Sequence, residues 1–327
     1  EAQSVVLERT VAESQSLALS AEEENAFADR DNDLAIALAL ESVKIDNPPI
    51  RTQSTLNDIA LSAGTRRVIN TAGLTIESIA YSPDATRLAT GLNNGEIIIW
   101  NVATGNEIVR WQAHNEVVTS LDYRPDGTQI VSGSGGTSEN LKVWDAESGE
   151  WVTTLEHHTN RVTTVVYSPD GRFFISGSID RTYVAWWSDT FAQGYLGERP
   201  SDIQEIDTAG NDEGWIVAIA DTNRITILNS TWQALIEIVP EDDFTGTITS
   251  LKLSQDSNSV MAGFSDGSIG IWDTTEGFLT QSFPALESRV NAVDFLPRDQ
   301  KVVAGLEDGT LRIWDVITRR QTDVFTL

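Results

Sequence analysis

Cysteine is absent from the 327 residues, which removes disulfides, thiolate metal sites and thiol nucleophiles from consideration. A cysteine-free chain suits an oxidising or a reducing compartment. Localisation therefore stays open between the cytoplasm and a position beyond an upstream membrane segment. Histidine occurs three times, and four of the 22 basic residues are lysine, against 49 acidic residues and a formal net charge of −27. Such a surface repels phosphate backbones, so no nucleic-acid partner is expected. Solubility or adaptation to salt accounts for the charge, with an acidic docking face as the alternative. No apolar run approaches the roughly 18–20 residues that span a bilayer, and no basic-then-apolar leader opens the chain. Membrane insertion by this chain itself is not expected. It begins at Glu1 rather than Met, which suggests a piece of a larger polypeptide or complex.

Residues 1–65 read as a helical segment. Ala12 to Asp29 is rich in Ala, Leu and Glu, which favour helix. Asp31, Asn32 and Asp33 then offer N-cap oxygens to Leu34–Leu40, and Pro48-Pro49 ends that run. A third helix is expected between Thr52 and Leu61. The stretch from Ala28 to Pro49 resembles the second half of a tetratricopeptide helix pair. Alternating carboxylates at Asp29, Asp31 and Asp33 suggest a calcium loop, but Leu34 stands where that loop needs glycine and Leu40 where it needs glutamate. Helix capping explains them better.

From Arg67 onward the apolar period drops to two, and a unit of about 43 residues recurs six times. Tryptophan keeps the count at Trp100, Trp144, Trp186, Trp272 and Trp314, with Leu228 in the remaining place. In the third unit, Arg161–Tyr167, Phe173–Gly177 and Thr182–Trp186 read as strands separated by the turns Ser168-Pro169-Asp170-Gly171 and Ser178-Ile179-Asp180-Arg181. A fourth, less regular strand follows. Four antiparallel strands repeated radially make an all-β propeller, because one unit cannot bury its apolar faces alone.

The units resemble WD40 repeats over about residues 66–327. Trp-Asp endings stand at Trp144-Asp145, Trp272-Asp273 and Trp314-Asp315, altered to Trp100-Asn101, Trp186-Trp187 and Leu228-Asn229. The family's Ser-Pro-Asp-Gly turn appears as Ser82-Pro83-Asp84-Ala85, Arg124-Pro125-Asp126-Gly127 and Ser168-Pro169-Asp170-Gly171. The resemblance implies a buried hydrogen-bonded tetrad, expected only in the third unit, from His157 or His158 with Ser176, Asp180 and Trp186; His157 is taken as its histidine. Helices leading into such repeats also resemble C-terminal regions of large bacterial signalling proteins, including STAND-type NTPases and membrane-anchored kinases. Arg67–Asn70 is placed to close the ring, yet Gln321–Leu327 already reads as the outer strand of the sixth unit. The expectation is a seven-bladed design from which this chain supplies six blades and one strand.

No motif calls for catalysis, a cofactor or a metal. Gly263-Phe264-Ser265-Asp266-Gly267 matches a nucleophile elbow but lies between two strands rather than before a helix. His114, His157 and His158 all fall at inter-unit turns, and they make a poor zinc set. Gly133-Ser134-Gly135-Gly136 opens no helix and so cradles no phosphate; it begins a long turn expected to project. One rim carries Arg161, Arg181, Arg224 and Arg289, which suit a carboxylate or acidic peptide; the opposite rim carries Asp84, Asp126, Asp170, Asp212, Glu213, Asp256 and Glu276. Trp111, Trp151, Trp215 and Trp232 lie outside the periodic series and suit either an interface or outer-strand packing. The expected function is a non-enzymatic scaffold or sensor that recognises a protein or peptide for a larger signalling or membrane-associated assembly. A small-ligand sensor using the central channel is the alternative, and a hydrolase a more distant one.

Overall fold

The computed structural model describes residues 73–211, 214–241, 243–296 and 301–326. Chain contacts divide after Val68, and the unit from Ile69 to Leu327 holds every described strand. The expected helices of 1–65, the Asp29–Asp33 run and the expected closing strand Arg67–Asn70 lie outside the described residues.

Six four-stranded antiparallel sheets follow one another along the chain. The first blade is β1 (Ile76–Tyr81), β2 (Arg87–Leu92), β3 (Glu96–Asn101) and β4 (Glu107–Gln112). The second is β5 (Val118–Tyr123), β6 (Gln129–Ser134), β7 (Leu141–Asp145) and β8 (Trp151–Thr154). The third is β9 (Val162–Tyr167), β10 (Phe173–Ser178), β11 (Thr182–Trp187) and β12 (Gln193–Glu198). The fourth is β13 (Glu205–Asn211), β14 (Gly214–Ala220), β15 (Ile225–Asn229) and β16 (Ala234–Ile238). The fifth is β17 (Ile248–Leu253), β18 (Ser259–Phe264), β19 (Ile269–Asp273) and β20 (Leu279–Phe283). The sixth is β21 (Val290–Phe295), β22 (Lys301–Leu306), β23 (Thr310–Asp315) and β24 (Gln321–Thr326). Each is a simple meander, with the first strand innermost. The strands expected in the third unit appear within a residue of their expected limits.

From the second blade on, the tryptophan of the third strand packs against apolar residues of the preceding blade and of its own. Trp144 joins Ile97, Ile99 and Val118; Trp186 joins Val131, Leu141 and Val143; Trp314 joins Met261, Ile269 and Ile271. In the fourth blade Leu228 takes this place, and buried Trp215 with half-buried Trp232 fills the volume against Ile175, Tyr183 and Ala185 of the third. The outer strand shifts register opposite this position in every blade. Such a bulge bends the outer strand at the tryptophan or its substitute.

A second shift lies near the start of β5, β9 and β17, where Thr119, Thr163 and Thr249 are skipped by the ladder. The freed threonine reaches the next blade. Thr119 Oγ1 donates to the Val162 carbonyl at 2.5 Å, Thr163 to Ile203 at 2.9 Å and Thr249 to Val290 at 2.6 Å. One position on, Ser120, Thr164 and Ser250 accept the amides of Val165, Ile206 and Val293 at 3.0, 3.3 and 3.1 Å. Asp122 and Asp207 accept the amides of Tyr167 and Leu253 at 2.7 and 2.8 Å. An inner strand is a sheet edge with unpaired backbone groups, and here the previous blade's side chains satisfy them.

Glycine makes the fit between blades possible. A Cβ on Gly91, Gly133, Gly177 or Gly263 would collide with Val118, Val162, Ile203 or Val290 of the following blade. At Gly305 the corresponding Cβ would meet only Leu311 of its own blade, at 3.4 Å. Among the described strands, none of the sixth blade lies along the first in the way that β1 lies along β5. Accordingly Ile76, Ile79 and Tyr81 are 39, 59 and 56% exposed, whereas their counterparts Val118, Leu121 and Tyr123 are buried. Trp100 packs with Leu92, Ile98, Leu74 and Leu88 of its own blade.

Candidate functional site

The buried polar ties come first, because they account for the histidines. In the third blade Ser176 accepts the indole N–H of Trp186 at 3.0 Å and meets His158 Nε2 at 2.8 Å. His158 Nδ1 faces Thr182 Oγ1 at 3.0 Å and Asp180 Oδ2 at 3.3 Å. The tetrad histidine is therefore His158, not the expected His157, whose ring lies edge-on to Trp186 with centroids 6.5 Å apart. Burial disfavours ionisation of Asp180, but hydrogen bonds from His158, Thr182 and Thr159 outweigh it and hold the carboxyl well below its usual range.

The second blade builds a similar tie that its sequence did not signal. His114 Nε2 meets Ser132 Oγ at 2.8 Å, and Ser132 accepts the Trp144 indole N–H at 2.8 Å. His114 Nδ1 lies 3.3 Å from the Glu139 carbonyl, which takes the place of the aspartate. The partner is a backbone oxygen, so no residue type announced it. Burial, with the charge of Lys142, pushes the imidazole down to about 4, so it is neutral at physiological pH. In the first blade Thr90 accepts the Trp100 N–H at 2.9 Å without a histidine. The long turn after Gly133 does not project freely: Asn140 donates to the Asn160 carbonyl at 2.7 Å and the His158 carbonyl at 3.2 Å.

The four rim arginines differ in their surroundings. Arg161 and Arg289 occupy equivalent places before β9 and β21, where their carbonyls accept the Ile179 and Glu307 amides at 3.2 and 3.0 Å. Both side chains are exposed and neither has an ion pair among the described residues. Arg181 is also exposed, on a left-handed turn residue with φ 72°. Arg224 is held by Glu237 at 2.8 Å. Beside it, Arg199 approaches buried Asp221 at 3.3 Å and Glu237 at 3.7 Å. The described structure brings no two of the expected four into one ion-paired grip. Of the extra tryptophans, Trp151 is exposed, Trp111 packs against Trp144, and Trp215 donates to Asp170 at 3.1 Å.

On the opposite rim the acidic residues serve their own turns. Asp84 accepts from Ser82 Oγ at 2.6 Å and the Thr86 amide at 3.0 Å, which pull its carboxyl down to about 2. Asp126 and Asp256 make comparable turn bonds to Thr128 and Asn258, while Asp212 and Glu213 lie outside the described residues. Between the first and second blades this rim holds a cavity of about 380 Å³ lined by Asp84, Arg87, Tyr123, Asp126, Asp145 and Glu147, among others.

The inner strands converge a third set of groups on the axis. Lys252 Nζ lies 2.9 Å from Asp207 Oδ1, and its charge also acts on Asp294 and Glu205. Burial pushes Asp122 and Glu205 up to about 7, although backbone amides and the Thr164 hydroxyl favour their ionised forms. A cavity of about 430 Å³ opens beside Asp207, Lys252 and Asp294. Ser265 sits in the turn between β18 and β19 and accepts the Thr247 amide at 2.9 Å, so the Gly-x-Ser-x-Gly match is a hairpin turn. Among the described residues no group of three or more potential ligands could hold a metal ion.

Two blades tied by serine, histidine and tryptophan, with hydroxyls and the Asp207 carboxylate bridging successive inner strands, define an interlocked β-propeller. Residues 105–145, 149–186, 239–273 and 277–315 match the family described as WD domain, G-beta repeat. Residues 64–124 match the anaphase-promoting complex subunit 4 WD40 domain. The chain is a WD40-repeat β-propeller. The four WD-domain stretches skip 187–238, where Leu228 replaces tryptophan. WD repeat and SOCS box-containing protein 1 of Homo sapiens is 47% identical over 51 residues, 16% of this chain and 12% of that protein. The ciliary WD repeat-containing protein ctxp80 of Euplotoides octocarinatus is 38% identical over 66 residues, 20% of this chain and 9% of that protein. Periodic tryptophan protein 2 of Arabidopsis thaliana is 32% identical over 59 residues, 18% of this chain and 7% of that protein. Each similarity therefore spans a small part of either partner.

Proposed function

We propose that this chain is a non-enzymatic module that holds a protein or peptide partner within a larger signalling or membrane-associated assembly. WD40 propellers generally serve as protein-interaction scaffolds, and the relatives are WD repeat proteins. The observation that carries the reading is the division of labour among polar groups. His114, His158, Ser132, Ser176 and the bulge threonines are engaged inside and between blades, while Arg161 and Arg289 stand exposed at equivalent turns. The sequence resemblance to regions that follow STAND-type NTPases or membrane-anchored kinases supports the assembly context. The faces of the first and sixth blades, against which no strand of another described blade lies as β1 lies on β5, support a seven-bladed design from which this chain supplies six blades and one strand.

A second reading, a small-ligand sensor, is favoured by the axial cavity beside Asp207, Lys252 and Asp294. The two separate in one experiment. Partners retained by the immobilised chain are compared with those retained by its Arg161→Ala/Arg289→Ala variant, while Lys252→Met serves as the axial control. Loss on the rim variant alone supports the scaffold, loss on Lys252→Met alone supports the sensor, and retention by both variants removes the rim assignment.

A further inference from the structure

The cavity between the first and second blades holds more negative charge than its turns require and a buried group without a partner. Its walls are the turn from β1 to β2, the turn from β5 to β6 and the turn from β7 to β8. Four carboxylates, Asp84, Asp126, Asp145 and Glu147, line it with the cation Arg87, and Asp126 is also paired with Arg124 at 3.1 Å, which leaves Asp84, Asp145 and Glu147 without an ion pair among the described residues. Arg87 donates to the Ala146 carbonyl at 3.5 Å and forms an ion pair with none of the four. Hydrogen bonds from the turns hold Asp84, Asp126 and Asp145 below the usual carboxylate range, so all three are charged at neutral pH.

The second observation is independent of that charge. Tyr123 is 4% exposed, lines the cavity, and its buried hydroxyl has no hydrogen-bond partner among the described residues. Asp84 and Arg87 line the same cavity beside it. Buried polar groups are normally paired, and an unpaired hydroxyl is costly until something meets it. The complement is a flat cation with several N–H donors, which can face the carboxylates and reach the phenol oxygen together. Asp145 Oδ1 accepts from the Glu147 and Ser148 amides and the Ser148 hydroxyl, while Oδ2 has no hydrogen bond among the described residues.

We propose that this cavity receives an arginine side chain of a basic peptide partner. The proposal rests on the scaffold reading and adds to it a second contact, for a basic segment, on the rim opposite Arg161 and Arg289. Ammonium side chains fit less well, because a point charge cannot span the carboxylates and the phenol as a planar fork does. The net charge of −27 adds long-range attraction for any basic segment, so the test must separate the cavity from that general field.

Fluorescein-labelled hexa-arginine is titrated with the full chain at physiological salt and followed by anisotropy. Asp145→Asn/Glu147→Gln removes charge from the cavity while leaving an oxygen for the turn, as Asn101 does at the equivalent place in the first blade. It is expected to weaken binding about tenfold or more, and Tyr123→Phe severalfold. Glu276→Gln/Glu287→Gln, at exposed sites on other turns, should change little, and hexa-lysine should bind more weakly. Equal loss from both acidic pairs, or no loss from the cavity pair and Tyr123→Phe, overturns the proposal. Neither outcome touches the scaffold reading, which depends on the partners retained by the chain.

Discussion

His114 and His158 occupy matching places beside a buried serine and tryptophan but meet different acceptors. His158 faces the Asp180 carboxylate, whereas His114 faces a carbonyl and the cation Lys142. The folded His114 titrates near 4 and the unfolded one near 6.5, so in that interval the unfolded chain binds more protons. Stability is then lost as pH falls from about 6.5 to about 4, by roughly 3 kcal/mol at the lower end. His114→Gln keeps a donor and an acceptor but cannot titrate. Its denaturant midpoint should fall less steeply across this interval than that of the parent chain. Parallel profiles would show that His114 does not carry the proton linkage. A one-residue choice also explains why His157 misled: adjacent residues on an extended segment face opposite ways, and only one can enter the blade.

At the scale of the strand, the two bulges do different jobs. One bends the outer strand opposite the tryptophan position, and the other turns a threonine toward the next blade. The glycines of the second strands complete the joint. Gly133→Ala should cost about 1–3 kcal/mol, because its methyl would overlap Val162. Gly305→Ala should be near neutral or slightly stabilising, since no neighbouring blade approaches it. Urea unfolding of the two variants checks the pair, and similar losses at both positions would mean that the sixth face is packed as closely as the second. Strands and turns were legible because alternation, Ser-Pro-Asp-Gly turns and tryptophan spacing are local signals. The threonine ladder was not, because its acceptors lie 40 to 43 residues away and its aim depends on a skipped pairing. The rim arginines were legible as positions but not as a site. Whether an exposed guanidinium is free depends on neighbours such as Glu237, which another strand supplies.

For the whole molecule, the joints between blades are unequal. Thr119, Ser120 and Asp122 all tie the second blade to the third, whereas the first blade reaches the second through Ser78, which donates to Val118 at 3.2 Å. Glu77 stands where β5, β9 and β17 carry threonine. Native-state hydrogen exchange should therefore find the amides of β1 less protected than those of β9. Equal protection would mean that the first blade is secured by more than these contacts. The direction of the ladder also bears on how the chain folds. In these threonine bonds the earlier blade holds the hydroxyl and the later blade brings the carbonyl, one repeat further along. Each new inner strand thus meets its partner as soon as it is synthesised, and assembly can follow the ribosome from the first blade to the sixth. A mostly antiparallel ring gains a folding route built from short sequence separations, which limits the time its strand edges stay unpaired.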